Sequence, residues 1–170
     1  KSEDDVLTPE EINALIAAAR TPKYKAYIGL LYETGARSIE IANLRWKDIV
    51  VFPWGLQCTL HDTKTDKIRV VPCVMYANHV HAWRNFYPGD PTGENFVFIN
   101  PSGKPIHYPG VRRALYLLAK KAGIEAAEIY LASSDSFRAM CQQGEISQYT
   151  VNSTRGLSLR GMRKGPKEQL

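Results

Sequence analysis

Tyr32-Glu33-Thr34-Gly35-Ala36-Arg37-Ser38-Ile39-Glu40-Ile41-Ala42-Asn43-Leu44-Arg45-Trp46-Lys47-Asp48-Ile49 is the stretch from which the rest of the chain is read. Gly35 suits the left-handed conformation that closes a helix, so the stretch reads as the end of one helix and the start of a short second one. Ile39, Ile41 and Leu44 are spaced to pin that second helix against a core. Arg37, two residues past the glycine, is then held rather than trailing in solvent. A fixed guanidinium offers parallel N–H donors that match a phosphodiester, with more geometric specificity than a lysine ammonium.

Upstream, Thr8-Pro9-Glu10-Glu11 is a helix start in which threonine caps, proline sits in the first turn and Glu11 reaches back. Ile12, Leu15, Ile16 and Ala19 follow on one face. A second helix is predicted from about Lys23 to Thr34 and a third from Ser38 to about Leu44, the three packing together. Downstream the character changes. Ile49 to Phe52, a turn at Pro53-Trp54-Gly55, Leu56 to Leu60 and Ile68 to Cys73 read as a small antiparallel sheet, rich in β-branched residues.

A helix from about Tyr76 to Phe86 comes next, then a Pro/Gly loop, then Phe96-Val97-Phe98-Ile99 closed by the turn Asn100-Pro101-Ser102-Gly103. Val111, Leu115, Leu118, Ala119 and Ala122 form an apolar helical face ending at Gly123, while Arg112, Arg113, Lys120 and Lys121 make the remainder basic. Beyond it, Ala126 to Leu131 and Phe137 to Gln143 read as helical, and Gly156 to Leu170 is expected to be mobile or to need a partner. The fold class is α+β, mainly α, with a small three-stranded antiparallel sheet. Without a repeat or linker, residues 1–170 read as one domain.

With 22 Lys+Arg against 17 Asp+Glu among 170 residues, the net charge of +5 favours a polyanionic partner, nucleic acid above all. Cys58, Cys73 and Cys141 are widely spaced, which suggests neither a zinc ribbon nor a disulfide framework and fits a reducing cytoplasm. No apolar run reaches the roughly 18 residues of a membrane span, and Glu3, Asp4 and Asp5 stand where a signal peptide carries positive charge. The expectation is a soluble, intracellular protein with no membrane partner.

The opening stretch resembles the first arginine box of the tyrosine recombinase (phage integrase) family. Thr34, Gly35, Arg37, Glu40, Leu44, Trp46, Asp48 and Ile49 all match the family's order. The resemblance is close from about Thr8 to Gly123, and the remainder looks more like the divergent integrases of archaeal viruses and plasmids. It implies the helical catalytic domain of a DNA recombinase or integrase, acting in the cytoplasm of a prokaryotic host on double-stranded DNA. Its subunits would form a tetramer on two duplexes and cut and rejoin through a covalent phosphotyrosyl intermediate. Family members usually carry a separate amino-terminal DNA-binding domain, which the start at Lys1 suggests is absent here.

The same resemblance supplies candidate site residues. Arg37 is the first phosphate clamp. On the hairpin His61-Asp62-Thr63-Lys64-Thr65-Asp66-Lys67, Lys64 is the first choice and Lys67 the second for the lysine that protonates the leaving oxygen. Asp135-Ser136-Phe137-Arg138 is the nearest match to the family's second box, His-x-x-Arg, with Arg138 as second clamp and an acid, Asp135, where histidine or lysine belongs. Arg155, in Thr154-Arg155-Gly156, is the closest candidate for the third basic position, with the family's pair inverted. The last tyrosine, Tyr149, lies 11 positions past Arg138, too close for the family's nucleophile.

Such a residue set needs no cofactor or metal. Guanidinium donors stabilise the charge spread over the phosphate oxygens, and a lysine supplies the proton. A metal-dependent nuclease would need convergent carboxylates and histidines, and Glu3-Asp4-Asp5, His61-Asp62 and His79-x-His81 do not form such a pattern. A recombinase-like DNA-binding module lacking the nucleophile is the alternative. Trp54, Trp83, Phe86 and Tyr87 could be a base-stacking platform but read as core or as packing for the helix after the sheet.

Overall fold

The computed structural model describes residues 7–62, 65–124, 128–130, 135–142, 145–153 and 158–160. Helix α1 spans Pro9–Ala18, with Thr8 as N-cap. The Thr8 hydroxyl accepts from the Glu11 amide and the Glu11 carboxylate from the Thr8 amide, so the box is reciprocal. Helix α2, Pro22–Thr34, starts at the Thr21 cap and stops at Gly35, whose φ of 60° and ψ of 23° lie in the left-handed region. Helix α3 is Ser38–Ala42, followed by a single 3-10 turn at Trp46–Asp48.

Strands β1 (Ile49–Phe52), β2 (Gly55–His61) and β3 (Ile68–Cys73) form an antiparallel sheet in the order β1-β2-β3. Its register, Ile49 opposite Cys58 and Cys58 opposite Val71, puts Leu56, Cys58, Leu60 and Cys73 into the core. The other face carries Val50, Ile68 and Val70, each about half exposed or more, and Trp54 is exposed beside Phe52, with the two rings stacked 5.0 Å apart.

Helix α4 (Ala77–Asn85) packs against α2, and α5 (Tyr108–Lys121) packs against α1 and α3. Tyr27, Ile28, Leu30 and Leu31 of α2 belong to one buried core with Ile12 and Leu15 of α1, Val80 and Trp83 of α4, and Val111, Leu115 and Ala119 of α5. The Tyr27 ring meets Phe98 edge-on at 5.2 Å. The run 96–99 is held at its ends by isolated bridges, Arg45 to Phe96 and Ile99 to Pro105. On α5 the basic residues Arg112, Arg113, Lys120 and Lys121 are exposed opposite the apolar face, as expected.

The carboxy-terminal third departs from the helical expectation. Glu128–Tyr130 is strand β4, Asp135–Gln142 β5, Glu145–Ser153 β6 and Ser158–Arg160 β7; β4 pairs with β7 and β5 with β6, both antiparallel. Short apolar runs do not separate helix from strand by periodicity alone. Here pairing decides the matter, since β6 brings Ile146, Tyr149, Thr150 and Val151, residues favoured on a pleated surface, opposite β5.

Two smaller expectations also change. Ile39 is 45% exposed while Ile41 and Leu44 are buried, because a helix as short as α3 turns only one narrow face to the core. Trp83 is buried and Tyr87 packs on the core, whereas Trp54 and Phe86 stand in solvent. Much of the segment 156–170 lies outside the described residues. No helix among the described residues is long and apolar enough to cross a membrane.

Candidate phosphate site at the arginine turn

The turn between α2 and α3 is fixed on every side. The Thr34 hydroxyl donates to the Leu30 carbonyl at 2.6 Å and accepts from the Ala36 amide at 3.3 Å, bracketing Gly35. The Ser38 and Tyr27 hydroxyls are 2.6 Å apart, which anchors the start of α3 to the buried face of α2. The Arg37 amide donates to Glu40 Oε2 at 2.6 Å, so Glu40 caps the helix whose first turn it occupies.

Glu40 is nearly inaccessible, its side chain 2% exposed, and a carboxylate so placed needs a counter-ion. Arg69, the second residue of β3, supplies one through Nη2 at 2.7 Å to the same Oε2. One buried oxygen therefore joins the backbone of the arginine turn to the sheet. The Arg37 side chain reaches the hairpin in turn, with Nη1 donating to Asp62 Oδ1 at 2.8 Å. Asp62 is further held by Thr65 Oγ1 on Oδ2 at 2.8 Å and donates its own amide to the Lys67 carbonyl at 2.9 Å. Arg37 remains 39% exposed, so the guanidinium is both anchored and open to a solvent-borne anion.

A third carboxylate braces the same region from behind. Glu33, two residues before Gly35, accepts from the amides of Val74, Met75 and Tyr76 at 2.5, 2.9 and 3.0 Å, and from the Cys73 thiol at 2.9 Å. It thus ties the end of α2 to the end of β3 and to the entry of α4. Burial, with the Glu33 hydrogen bond next, pushes the Cys73 thiol far above its ordinary value; burial first and the Glu33 charge second push Cys58 up to about 12. Neither thiol is a nucleophile at neutral pH.

Of the site residues expected from sequence, Arg37 stands at the centre of this arrangement. Lys64 and Arg155 lie outside the described residues. Lys67 follows Asp66, whose φ of 52° marks the hairpin tip. Arg138 is on β5 opposite Thr150, and Tyr149 is on β6 opposite Ala139. Asp135, at the start of β5, pairs in register with Ser153.

From sequence, Glu40 is a matched position of the arginine box without an assigned task, Asp62 enters only as part of the hairpin and of a rejected metal pattern, and Arg69 and Glu33 have no role. Glu40 had a local signal, a carboxylate three residues past a helix start. Arg69 and Glu33 act across long sequence separations and leave no such trace.

Comparison with known proteins gives this geometry a lineage. The profile of the phage integrase family matches residues 5–143. The tyrosine recombinase XerC of Pediococcus pentosaceus is 35% identical over 96 residues, 53% of this chain and 31% of that protein. The prophage integrase IntF of Escherichia coli is 36% identical over 80 residues, 45% of this chain and 16% of that protein. The chain thus spans a third or less of the length of these two relatives. Among solved structures, a XerA recombinase superposes with a TM-score of 0.61 at 24% identity, covering 71% of this chain and 44% of that one. That likeness establishes a shared fold, and the family match over most of the sequence establishes descent: the chain belongs to the phage integrase family.

Proposed function

We propose that this chain is the phosphate-gripping catalytic portion of a site-specific DNA recombinase or integrase. The observation that carries the reading is Arg37, locked at its backbone by buried Glu40 and presented, still 39% exposed, against Asp62 at the loop end of the β2–β3 hairpin. In this reading a tyrosine hydroxyl attacks a DNA phosphorus, the P–O5′ bond breaks, and the protein is left joined to the 3′ phosphate. Arg37, with Arg138 and Arg155, offsets the charge that gathers on the non-bridging oxygens, and Lys64 gives its proton to the departing 5′ oxygen. Reversal of the same steps rejoins the strand.

The partners are double-stranded DNA and further recombinase subunits. Solved structures of the same fold include a XerH recombinase bound to its difH substrate and a lambda integrase tetramer on a Holliday junction. The setting is the cytoplasm of a prokaryotic host, with residues 1–170 belonging to one catalytic domain.

The test is a nicked duplex carrying a binding site selected from a random DNA library. A covalent protein–DNA adduct on a denaturing gel is expected, and Arg37→Gln should lower its rate by about 10²–10³. An adduct that forms equally well without Arg37 overturns the assignment. Tyr149 lies within a strand rather than on a helix, which favours a second reading, a DNA-binding domain without its own nucleophile. Arg37-dependent DNA binding with no adduct would establish that one.

A further inference from the structure

Among the described residues, two ion pairs that run in opposite senses join the arginine turn and the β2–β3 hairpin. In one, the hairpin gives the cation, Arg69, and the turn the anion, Glu40; in the other, the turn gives Arg37 and the hairpin Asp62. Their access to water differs. Arg69 is 29% exposed but Glu40 only 2%, so a solvent anion that took Arg69 would strand a buried carboxylate, and the inner pair resists the exchange. Arg37 and Asp62 are 39% and 18% exposed, so the outer pair allows it.

A carboxylate and a phosphodiester present similar paired oxygens to a guanidinium. The Asp62 carboxylate also has a donor that does not depend on Arg37, the Thr65 hydroxyl at 2.8 Å, so it keeps a hydrogen bond when the arginine turns elsewhere. We propose that Asp62 is an internal stand-in for phosphate: its carboxylate holds the Arg37 guanidinium until a DNA phosphate displaces it. The inner pair stays closed throughout. The inference rests on the reading of Arg37 as a phosphate ligand.

Exposed ion pairs of this kind hold their partners by a factor of about two to five. Asp62→Asn should therefore tighten binding of the chain to a short DNA duplex at low salt by about two- to five-fold. Asp66→Asn is the control, removing the same charge from an exposed position of the same hairpin at which asparagine also tolerates the positive φ. It should yield a clearly smaller gain. In an Arg37→Gln background the Asp62→Asn gain should shrink to that of the control.

A gain no larger than that of Asp66→Asn, or one that persists without Arg37, overturns the latch and leaves the phosphate reading standing. A wild-type chain that binds no DNA, or whose binding is indifferent to Arg37, overturns the phosphate reading and the latch with it. Thermal melting of each variant identifies any that fail to fold, and Asp62→Ala then serves as the second test of the same gain.

Discussion

Replacing Arg69 by methionine should cost more than replacing its partner Glu40 by glutamine, because the two changes leave different debris. Arg69→Met keeps the aliphatic stem but strands a carboxylate whose side chain is 2% exposed. Stripping one partner from a fully buried pair costs about 3–5 kcal/mol. Arg69 is 29% exposed and the Arg37 amide still serves Glu40, so about 2–3 kcal/mol is the expectation here. Glu40→Gln retains an oxygen for both donors and loses only their charge assistance, about 1–1.5 kcal/mol. The double variant removes the stranded charge and should be more stable than Arg69→Met alone. Urea denaturation gives all four corners of this cycle, with an unchanged slope confirming that only stability has moved. Additive losses, or an Arg69→Met variant no weaker than Glu40→Gln, would refute the assignment of Glu40 as a buried anion dependent on Arg69.

Gly35→Ala puts a Cβ at φ 60° and should destabilise by about 1–2 kcal/mol, read as a lower thermal midpoint. Glu33→Gln should speed amide hydrogen exchange selectively at Val74, Met75 and Tyr76, which lose a charged acceptor; uniform exchange across α4 would count against that cap. Cys58, raised from 9.0 to about 12, binds its proton more tightly folded than unfolded. Stability from this group is complete below pH 9 and is lost as pH climbs toward 12, so the urea midpoint should fall over that interval and fall less in Cys58→Ala.

Local chemistry made much of the fold legible before any coordinates. Thr8-Pro9-Glu10-Glu11 starts α1, Gly35 ends α2, and the alternation around Leu56, Cys58 and Leu60 gives β2 its buried side, each within a few residues of where it acts. Long-range choices were not legible. Nothing near Arg69 in the chain names Glu40 as its partner, and nothing near Glu33 announces that it will close the entry to a helix 43 positions on, at Tyr76. The strands after residue 128 were missed for a related reason: Phe137-Arg138-Ala139-Met140-Cys141 carries no strong preference, and its partner β6 tips the balance. At the site, Arg37 could be found from sequence because a glycine fixes its setting, whereas its present companion, Asp62, depends on how the hairpin folds back.

Pro72 makes the two margins of the small sheet unequal. It sits in β3, an outer strand, opposite Gln57 of the central one, and has no N–H to offer. An extended peptide approaching along that side meets a gap in the row of donors and a rigid ring. Along β1, with Val50 and Val51 half uncovered, the backbone carries no such interruption. Within this sheet, strand addition, whether by a neighbouring molecule or by misassembly at high concentration, is thereby favoured at the β1 border over the β3 border.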